Sequence, residues 1–292
     1  MAYACIDVGS NTTRLLVAEP DADWLRVLRM ERAFTRLGAD LVADGRISKA
    51  KVAETAAVVA EQVALARELG ASAIALVATA AIREAENRGE LVAAVEQAGG
   101  LPVRVLSDEE EARLSFDGAT RGLGLEGRVA VADVGGGSTE VAVGSPPSGV
   151  AWFASFRIGS GVLADLHLLS DPPAQDELEA ARAHAREALA GLNPPTADSA
   201  IAVGGSATSL RRLVGPVIEP DTLARSSAAL CATPIAQAAE RLGLEPERVR
   251  LLPAGMAILA ELVARVGRPL EVGRGGLREG VVLELADRNA GC

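Results

Sequence analysis

Histidine, cysteine and lysine are scarce in this chain, and each shortage removes a class of function. The two histidines, His167 and His184, stand apart, with no nucleophile or metal-ligating residue beside them in sequence. A Ser–His or Cys–His relay therefore has no obvious starting point. The three cysteines, Cys5, Cys231 and Cys292, are odd in number, far apart and lack metal-ligand spacing. They suit a reducing cytoplasm, and no catalytic role is expected of them. Lys49 and Lys51 are the only lysines, and the formal net charge is −10. That balance argues against a nucleic-acid binder, which would show a basic face. A polyanionic ligand would need local arginines or a metal ion to overcome the mean repulsion. Long apolar runs are missing as well. The longest candidate, "VAETAAVVAEQVALARELG", is broken by Glu54, Glu61, Gln62 and Arg67, so no membrane span is expected. The opening "MAYACIDVGS" has no basic region, so no signal peptide is expected. Walker and G-x-S-x-G motifs are absent too.

What is present is a folding pattern. With 292 residues, 49% of them hydrophobic, the chain can build one large domain or two modest ones. Strands are expected at "YACIDV", "RLLVAE", "WLRVLRMERAF", "SAIALVAT", "LPVRVL", "RVAVADV", "STEVAVGS", "GVAWFASFRIG" and "SAIAVG". Helices are expected at 48–70 with Ser48 as N-cap and Gly70 as C-cap, at "ENRGELVAAVEQAG", and from Ser107 with a Ser107/Glu110 capping box. Others are expected at "AQDELEAARAHAREALAGL" and near 206–214, 234–243, 253–266 and 277–288. Strands alternate with helices, so the class is α/β.

The chain also repeats itself. Shifted by 126 positions, "ACIDVGSNTTRLLVA" lies on "AVADVGGGSTEVAVG", placing Asp7 on Asp133, Gly9 on Gly135, Thr13 on Thr139 and Val17 on Val143. A second pair follows at nearly the same offset, "SAIALVATAAIR" against "SAIAVGGSATSLR". Two pairs in the same order predict two related halves whose equivalent loops face each other across a cleft.

Each repeated hairpin ends a buried strand on an acid, then runs through small residues and hydroxyls. Successive amides in such a loop can form an anion nest, and glycine lets a phosphate reach the main chain. The aspartates suit a hydrated Mg²⁺ whose shell phosphate oxygens complete, and Asp133 and Glu140 would handle the metal or an attacking water. A plain β-hairpin in which "GGG" is only a turn remains the competing reading. The helix from Ser107 opens with Glu109, Glu110 and Glu111, which complement the helix dipole without any chemistry. Glu110 serves the capping box and Glu109 can pair with Arg113, whereas Glu111 has no such role. Its face continues through the small Ser115, Gly118 and Gly122, so it is a candidate general base as well as a dipole partner. Arg83 and Arg88 follow a buried strand and could grip phosphate oxygens, or could simply be solvated.

Taken together these segments resemble the exopolyphosphatase and guanosine pentaphosphate phosphohydrolase family, within the actin/sugar-kinase/heat-shock-70 superfamily. The matches run in order through "IDVGSNTTRLLV", "ATAAIREAENR", "EEEARLSFDGA", "VADVGGGSTEV", "RIGSGVLADLHLLSDPP", "IAVGGSATSL" and "GLREGVVLELA". The resemblance implies two duplicated actin-like (ribonuclease-H-like) lobes, with mixed sheets flanked by helices around a central cleft. The first would span 1–118 with the last helix, about 281–292, packed onto it; the second would span 119–280. It implies that Glu111 activates water, with Glu140 and Arg83 in the catalytic set. Asp7, Asp133 and Glu140 would hold Mg²⁺, with Mn²⁺ as the alternative. Phosphate would be bound by Ser10, Asn11 and Thr12, by Gly135, Gly136, Gly137 and Ser138, and by Gly204, Gly205 and Ser206.

Ala80 stands where the family often has serine, and the chain stops at Cys292 without the further helical region of long members. A preference for short polyphosphate or a pentaphosphate nucleotide is the expectation that follows. The expected activity is thus a cytoplasmic, Mg²⁺-dependent exopolyphosphatase, with guanosine pentaphosphate as the alternative substrate. From other classes, an actin-fold small-molecule kinase and a non-catalytic polyphosphate or nucleotide sensor are the competing readings. No nucleic acid or membrane is expected as a partner, and at most a second copy of the chain in a homodimer.

Overall fold

The computed structural model describes residues 1–22, 24–146 and 148–290. The chain divides into two units, Met1–Gly124 with the segment from Gly275 onward, and Leu125–Arg274. The expected boundaries fell at 118/119 and 280/281. The divisions instead follow two helix ends, since one helix runs on to Thr120 and the last begins at Leu277. Cys292 lies outside the described residues.

In chain order the first unit contains β1 (Ala2–Val8), β2 (Thr13–Asp21), β3 (Trp24–Ala33), α1 (Leu37–Asp44), α2 (Lys49–Glu68), β4 (Ala71–Ala78), α3 (Ala80–Glu84), α4 (Arg88–Gly99), β5 (Val103–Val105) and α5 (Asp108–Thr120). The second contains β6 (Val129–Val134), β7 (Thr139–Ser145), β8 (Gly149–Phe156), α6 (Ser160–His167), α7 (Gln175–Ala188), β9 (Ser199–Val203), α8 (Gly204–Val214), β10 (Val217–Ile218), α9 (Pro220–Cys231), α10 (Ile235–Leu242), α11 (Pro246–Val266) and β11 (Leu270–Val272). The closing helix α12 (Leu277–Ala290) belongs to the first unit.

Each unit is built on one mixed sheet. The strand orders are β3-β2-β1-β4-β5 and β10-β11-β9-β6-β7-β8, so both sheets run meander, then parallel crossover. The registers repeat as the strands do. Asp7 lies opposite Arg14 and beside Val77; Asp133 lies opposite Glu140 and beside Val203. The 126-residue echo in the sequence is therefore a structural repeat.

Two-residue periodicity sorts the first sheet. Ile6, Val8, Leu15 and Val17 face Val59, Val63 and Ala66 of α2, together with Leu91 and Val95 of α4. Tyr3, Cys5, Leu16 and Val77 face the other way, onto Leu114 of α5 and Leu277, Val281 and Val282 of α12. Strands buried on both faces read as near-continuous apolar runs, which is why "YACIDV" stood out. The second unit has its own core around Val141, Ile158, Leu163, Leu210 and the long α11.

Helix α2 starts at its expected cap, where Ser48 accepts a hydrogen bond from the Lys51 amide. Its last cap is Leu69, with Gly70 next in line at φ +75°. The helices α1, α3, α6 and α9 were not expected; all are short, five to twelve residues. Helix α11 begins at Pro246 and runs through Pro253, where a start was expected. Proline suits a helix start, but here Pro253 lies inside the helix, buried along with Leu251, Leu252 and Ala254. Among the described residues no helix is long and apolar enough to cross a membrane.

Helices α5 and α12 meet backbone to backbone. A Cβ on Gly118 would lie 2.0 Å from the Gly276 carbonyl oxygen and 2.6 Å from the Gly280 nitrogen, and one on Gly280 would lie 1.9 Å from the Leu114 carbonyl oxygen. The small face downstream of Glu111 is thus filled by α12. Charge closes the same seam. Glu284 accepts hydrogen bonds from Arg104 and Arg113 at 2.7 Å each, and Arg121 reaches Asp287 at 2.8 Å. Arg113 also pairs with Asp117 at 3.3 Å, so the expected Glu109–Arg113 pair does not form.

Because neither backbone can move aside, Gly280→Ala should lower stability by about 3 kcal/mol or more, read as a shift of the urea midpoint. A wild-type midpoint would mean the helices are not in backbone contact. The seam also predicts a pH response. Burial raises the Glu284 carboxyl, but hydrogen bonds from Arg113 and Arg104 outweigh it and hold the group below its ordinary 4.5. The unfolded chain then binds its proton at higher pH, so this stabilisation is present above 4.5 and is lost as pH falls through the folded value. Glu284→Gln should flatten that acid-side fall in melting temperature.

Candidate active site

The second hairpin joins β6 to β7 through "GGGS". Asp133 and Glu140 sit directly opposite each other at its mouth, and Glu140, 2% exposed, accepts a hydrogen bond from Ser155 Oγ at 3.0 Å. Like charges in opposed strand positions destabilise a sheet, so a cation shared by this pair would relieve the strain. Gly135 N–H closes the turn on the Ser138 carbonyl at 3.0 Å.

The carbonyls that follow are tied down from behind by the start of α6. Ser160 N–H donates to Gly135 O at 3.0 Å, and Gly161 and Val162 N–H donate to Gly136 O at 2.9 and 3.1 Å. A trans peptide points its N–H opposite to its C=O. The amides of Gly136 and Gly137 are therefore turned away from α6, and those of Gly136, Gly137 and Ser138 donate to no described residue. Amides so placed can serve an anion. Glycine is required at the back of the loop: a Cβ on Gly159 would lie 2.3 Å from the Gly136 carbonyl carbon.

Beyond β9, Gly204 turns at φ +86°, and a Cβ there would lie 2.5 Å from Asp133 Oδ1. The aspartate thus rests on bare backbone beside Gly205. Ser206 points elsewhere. It is 2% exposed, a Cβ on Gly255 of α11 would lie 2.9 Å from its Oγ, and that Oγ has no hydrogen-bond partner among the described residues.

The first hairpin repeats the device with different side chains. Gly9 N–H closes on Thr12 O at 3.1 Å, and the amides of Ser10, Asn11 and Thr12 donate to no described residue. Their carbonyls are held by the segment leading into α1: Gly38 N–H on Ser10 O at 2.7 Å and Arg36 N–H on Asn11 O at 3.1 Å. The buried Thr13 and Thr35 hydroxyls meet at 3.1 Å, and Arg14 Nε donates to Thr12 Oγ1 at 2.9 Å. Here the acid, Asp7, lies opposite Arg14 rather than another acid.

Glu111 lies in the first turn of α5, 6% exposed. Arg83, on α3, places Nη1 3.2 Å from Glu111 Oε2 and 2.7 Å from the Leu106 carbonyl, while its Nη2 pairs with Asp108. The capping box forms as expected, with Ser107 N–H on Glu110 Oε2 at 3.0 Å and Glu110 N–H on Ser107 Oγ at 3.2 Å. This leaves Glu111 to Arg83. Arg88 is exposed at the start of α4, as the solvated reading had it. His167 and His184, isolated in sequence, meet at 2.8 Å between ring nitrogens on α6 and α7.

The oxygen donors at the second hairpin fit a hard divalent cation such as Mg²⁺ or Mn²⁺. Asp133 and Glu140 are the residues that would hold it, because their charges oppose each other and no cationic side chain occupies the equivalent strand position. Asp7, the third expected ligand, lies in the first sheet opposite Arg14.

A model of the Ppx/GppA phosphatase family matches residues 16–289. The chain belongs to the Ppx/GppA phosphatase family. Among solved structures, a Ppx/GppA family member from Aquifex aeolicus is 29% identical over 99% of each chain, with a TM-score of 0.80. An exopolyphosphatase-like protein is 26% identical over 99% of this chain and 98% of that one, with a TM-score of 0.86. An exopolyphosphatase from Cytophaga hutchinsonii, 20% identical over 99% of this chain and 98% of that one, shares the fold at a TM-score of 0.87. The duplicated mixed α/β, actin-like architecture expected from the sequence is the one observed.

Sequence reasoning passed over Arg36, Ser155, Gly159 and Gly161. One signal was available: "TRLGADL" and "RIGSGVLADL" both follow the third strand of their unit and both present a glycine to the loop carbonyls. For Arg83 and Glu111, a double-mutant cycle with Arg83→Gln and Glu111→Gln should give a coupling of about 0.5–3 kcal/mol in urea stability. Additive effects would show that the two side chains do not interact.

Proposed function

We propose that this protein is a divalent-metal-dependent phosphohydrolase that releases terminal phosphate from inorganic polyphosphate. One observation carries the reading: two opposed carboxylates, Asp133 and Glu140, at the mouth of a nest whose amides have no acceptor among the described residues. An enzyme that only stored a turn there would gain nothing from setting like charges opposite each other.

When bound, the metal held by Asp133 and Glu140 would neutralise charge on the phosphate oxygens. The amides of Gly136, Gly137 and Ser138 bind non-bridging oxygens of the terminal group and take up its charge as the reaction proceeds. Ser10, Asn11 and Thr12 offer the same kind of donors to a further phosphate. Glu111 accepts a proton from water as the water oxygen bonds to the terminal phosphorus. The bridging P–O bond breaks on the opposite side, and the bridging oxygen leaves with the shortened chain. Arg83 acts through Glu111 as a positioning residue, fixing the direction of its carboxylate against the Leu106 carbonyl and Asp108. The bare backbone of Gly204 does the same for Asp133. The free thiols Cys5 and Cys231 suit action in a reducing cytoplasm.

The test is phosphate release from short polyphosphate, long polyphosphate and guanosine pentaphosphate, with Mg²⁺ or with chelator. Release should need the metal and should fall by on the order of 10²–10⁴ in Glu111→Gln. Faster release from the pentaphosphate nucleotide than from either polymer would reassign the substrate. A folded wild type that releases phosphate from none of the three would sink the proposal; ATP-dependent transfer would then favour a kinase, and tight binding without turnover a sensor.

A further inference from the structure

The two sheets end on four edge strands, and three of them offer little to a partner. β5 has three residues, β10 has two, and β8 carries no charged side chain that could set a register. β3 differs. At ten residues it is the longest strand described, and within the sheet its neighbour is β2 alone. Its outer backbone groups form a template for a further strand. Val27 and Met30, on this edge, are 45% and 47% exposed.

A bulge divides this strand. Val27 lies opposite Ala18 and Arg29 opposite Val17, so Leu28 is the extra residue. Along a regular strand, side chains three residues apart point to opposite faces. The bulge reverses that. Val27 and Met30 stand opposite Ala18 and Leu16, on the α12 side of the sheet. Arg26 and Glu31 stand opposite Glu19 and Leu15, on the α2 side. Turned about a twofold axis at the bulge, the strand therefore matches itself face for face. Val27 meets Met30 of the second copy and Arg26 meets Glu31 of the second copy, each contact made twice. The charges suit the same register. Arg26 pairs with Glu19 and Arg29 with Glu31 within one chain. The joined edges would line up Glu19, Arg26, then Glu31 and Arg29 of the second copy, alternating in sign.

We propose that β3 is a homodimer surface, on which two copies of the chain pair antiparallel with the twofold axis at Leu28 and Arg29. The two first-unit sheets then join into one continuous sheet. Charges and bulges along an edge ordinarily deter a further strand. Here both favour one partner, a second copy, because only the bulged strand presents Val27 to Met30 and Arg26 to Glu31 on matching faces. The pairing does not depend on the phosphohydrolase reading.

Analytical ultracentrifugation of the full-length protein over a concentration series tests this. Wild type should shift from monomer to dimer as its concentration rises. Arg26→Glu alone and Glu31→Arg alone each set like charges opposite one another across the axis, and each should weaken the dimer about tenfold. Mixed in equal amounts, the two variants should recover a dimer, because each copy then supplies the charge that the other lacks. Met30→Lys leaves the Arg26–Glu19 and Arg29–Glu31 pairs in place and should weaken the dimer to a similar extent. A wild type that stays monomeric at every concentration overturns the proposal. So does a mixture no more dimeric than its components. A dimer unchanged in all three variants forms through another surface and overturns it too. Thermal melting shows whether each variant is folded; should either charge variant unfold, Met30→Lys and Val27→Lys carry the test.

Discussion

Where a loop's carbonyls go decides where its amides point, because a trans peptide holds the two in opposite directions. In both units the carbonyls at the hairpin turn are taken by amides at the start of a short helix, α1 for Ser10 and Asn11, α6 for Gly135 and Gly136. Those helix-start amides would otherwise need partners of their own. One set of hydrogen bonds thus caps a helix and aims two amides of each loop outward. The anion nest is the consequence, and the glycines at 38, 159 and 161 exist to let the helix start come that close.

Duplication with divergence of charge is what turns this device into chemistry. The backbone of each hairpin is the same in register and turn closure, and both tie the carbonyl of the first loop residue after the turn glycine, Ser10 or Gly136. Opposite the aspartate one hairpin carries arginine and the other glutamate, so the local charge of the two differs. Glu111 stands outside both hairpins, on a helix whose cap consumes the neighbouring Glu110 and whose direction is fixed by Arg83. That helix in turn is fixed by α12, through glycines that let two backbones touch and through arginines converging on Glu284. The position of Glu111 therefore depends on the last helix of the chain, far away in sequence.

The sequence by itself determined the class, the strands β1 to β9, the duplication and the residues at the loops, but not the short edge strands β10 and β11. Those features are local or periodic: alternating burial in "YACIDV", the Ser107/Glu110 cap, and paired hairpins at a constant offset. The short helices α1 and α6 escaped, and their role lies in backbone amides that no side-chain pattern records. Only the tertiary structure decided that Glu111 meets Arg83 and not solvent, that Gly118 meets α12 and not a ligand, and that Ser206 turns toward Gly255. Each of those is a contact between segments that are distant along the chain. Composition and spacing say which residues can make such a contact, while the packing of backbones selects the one that is made.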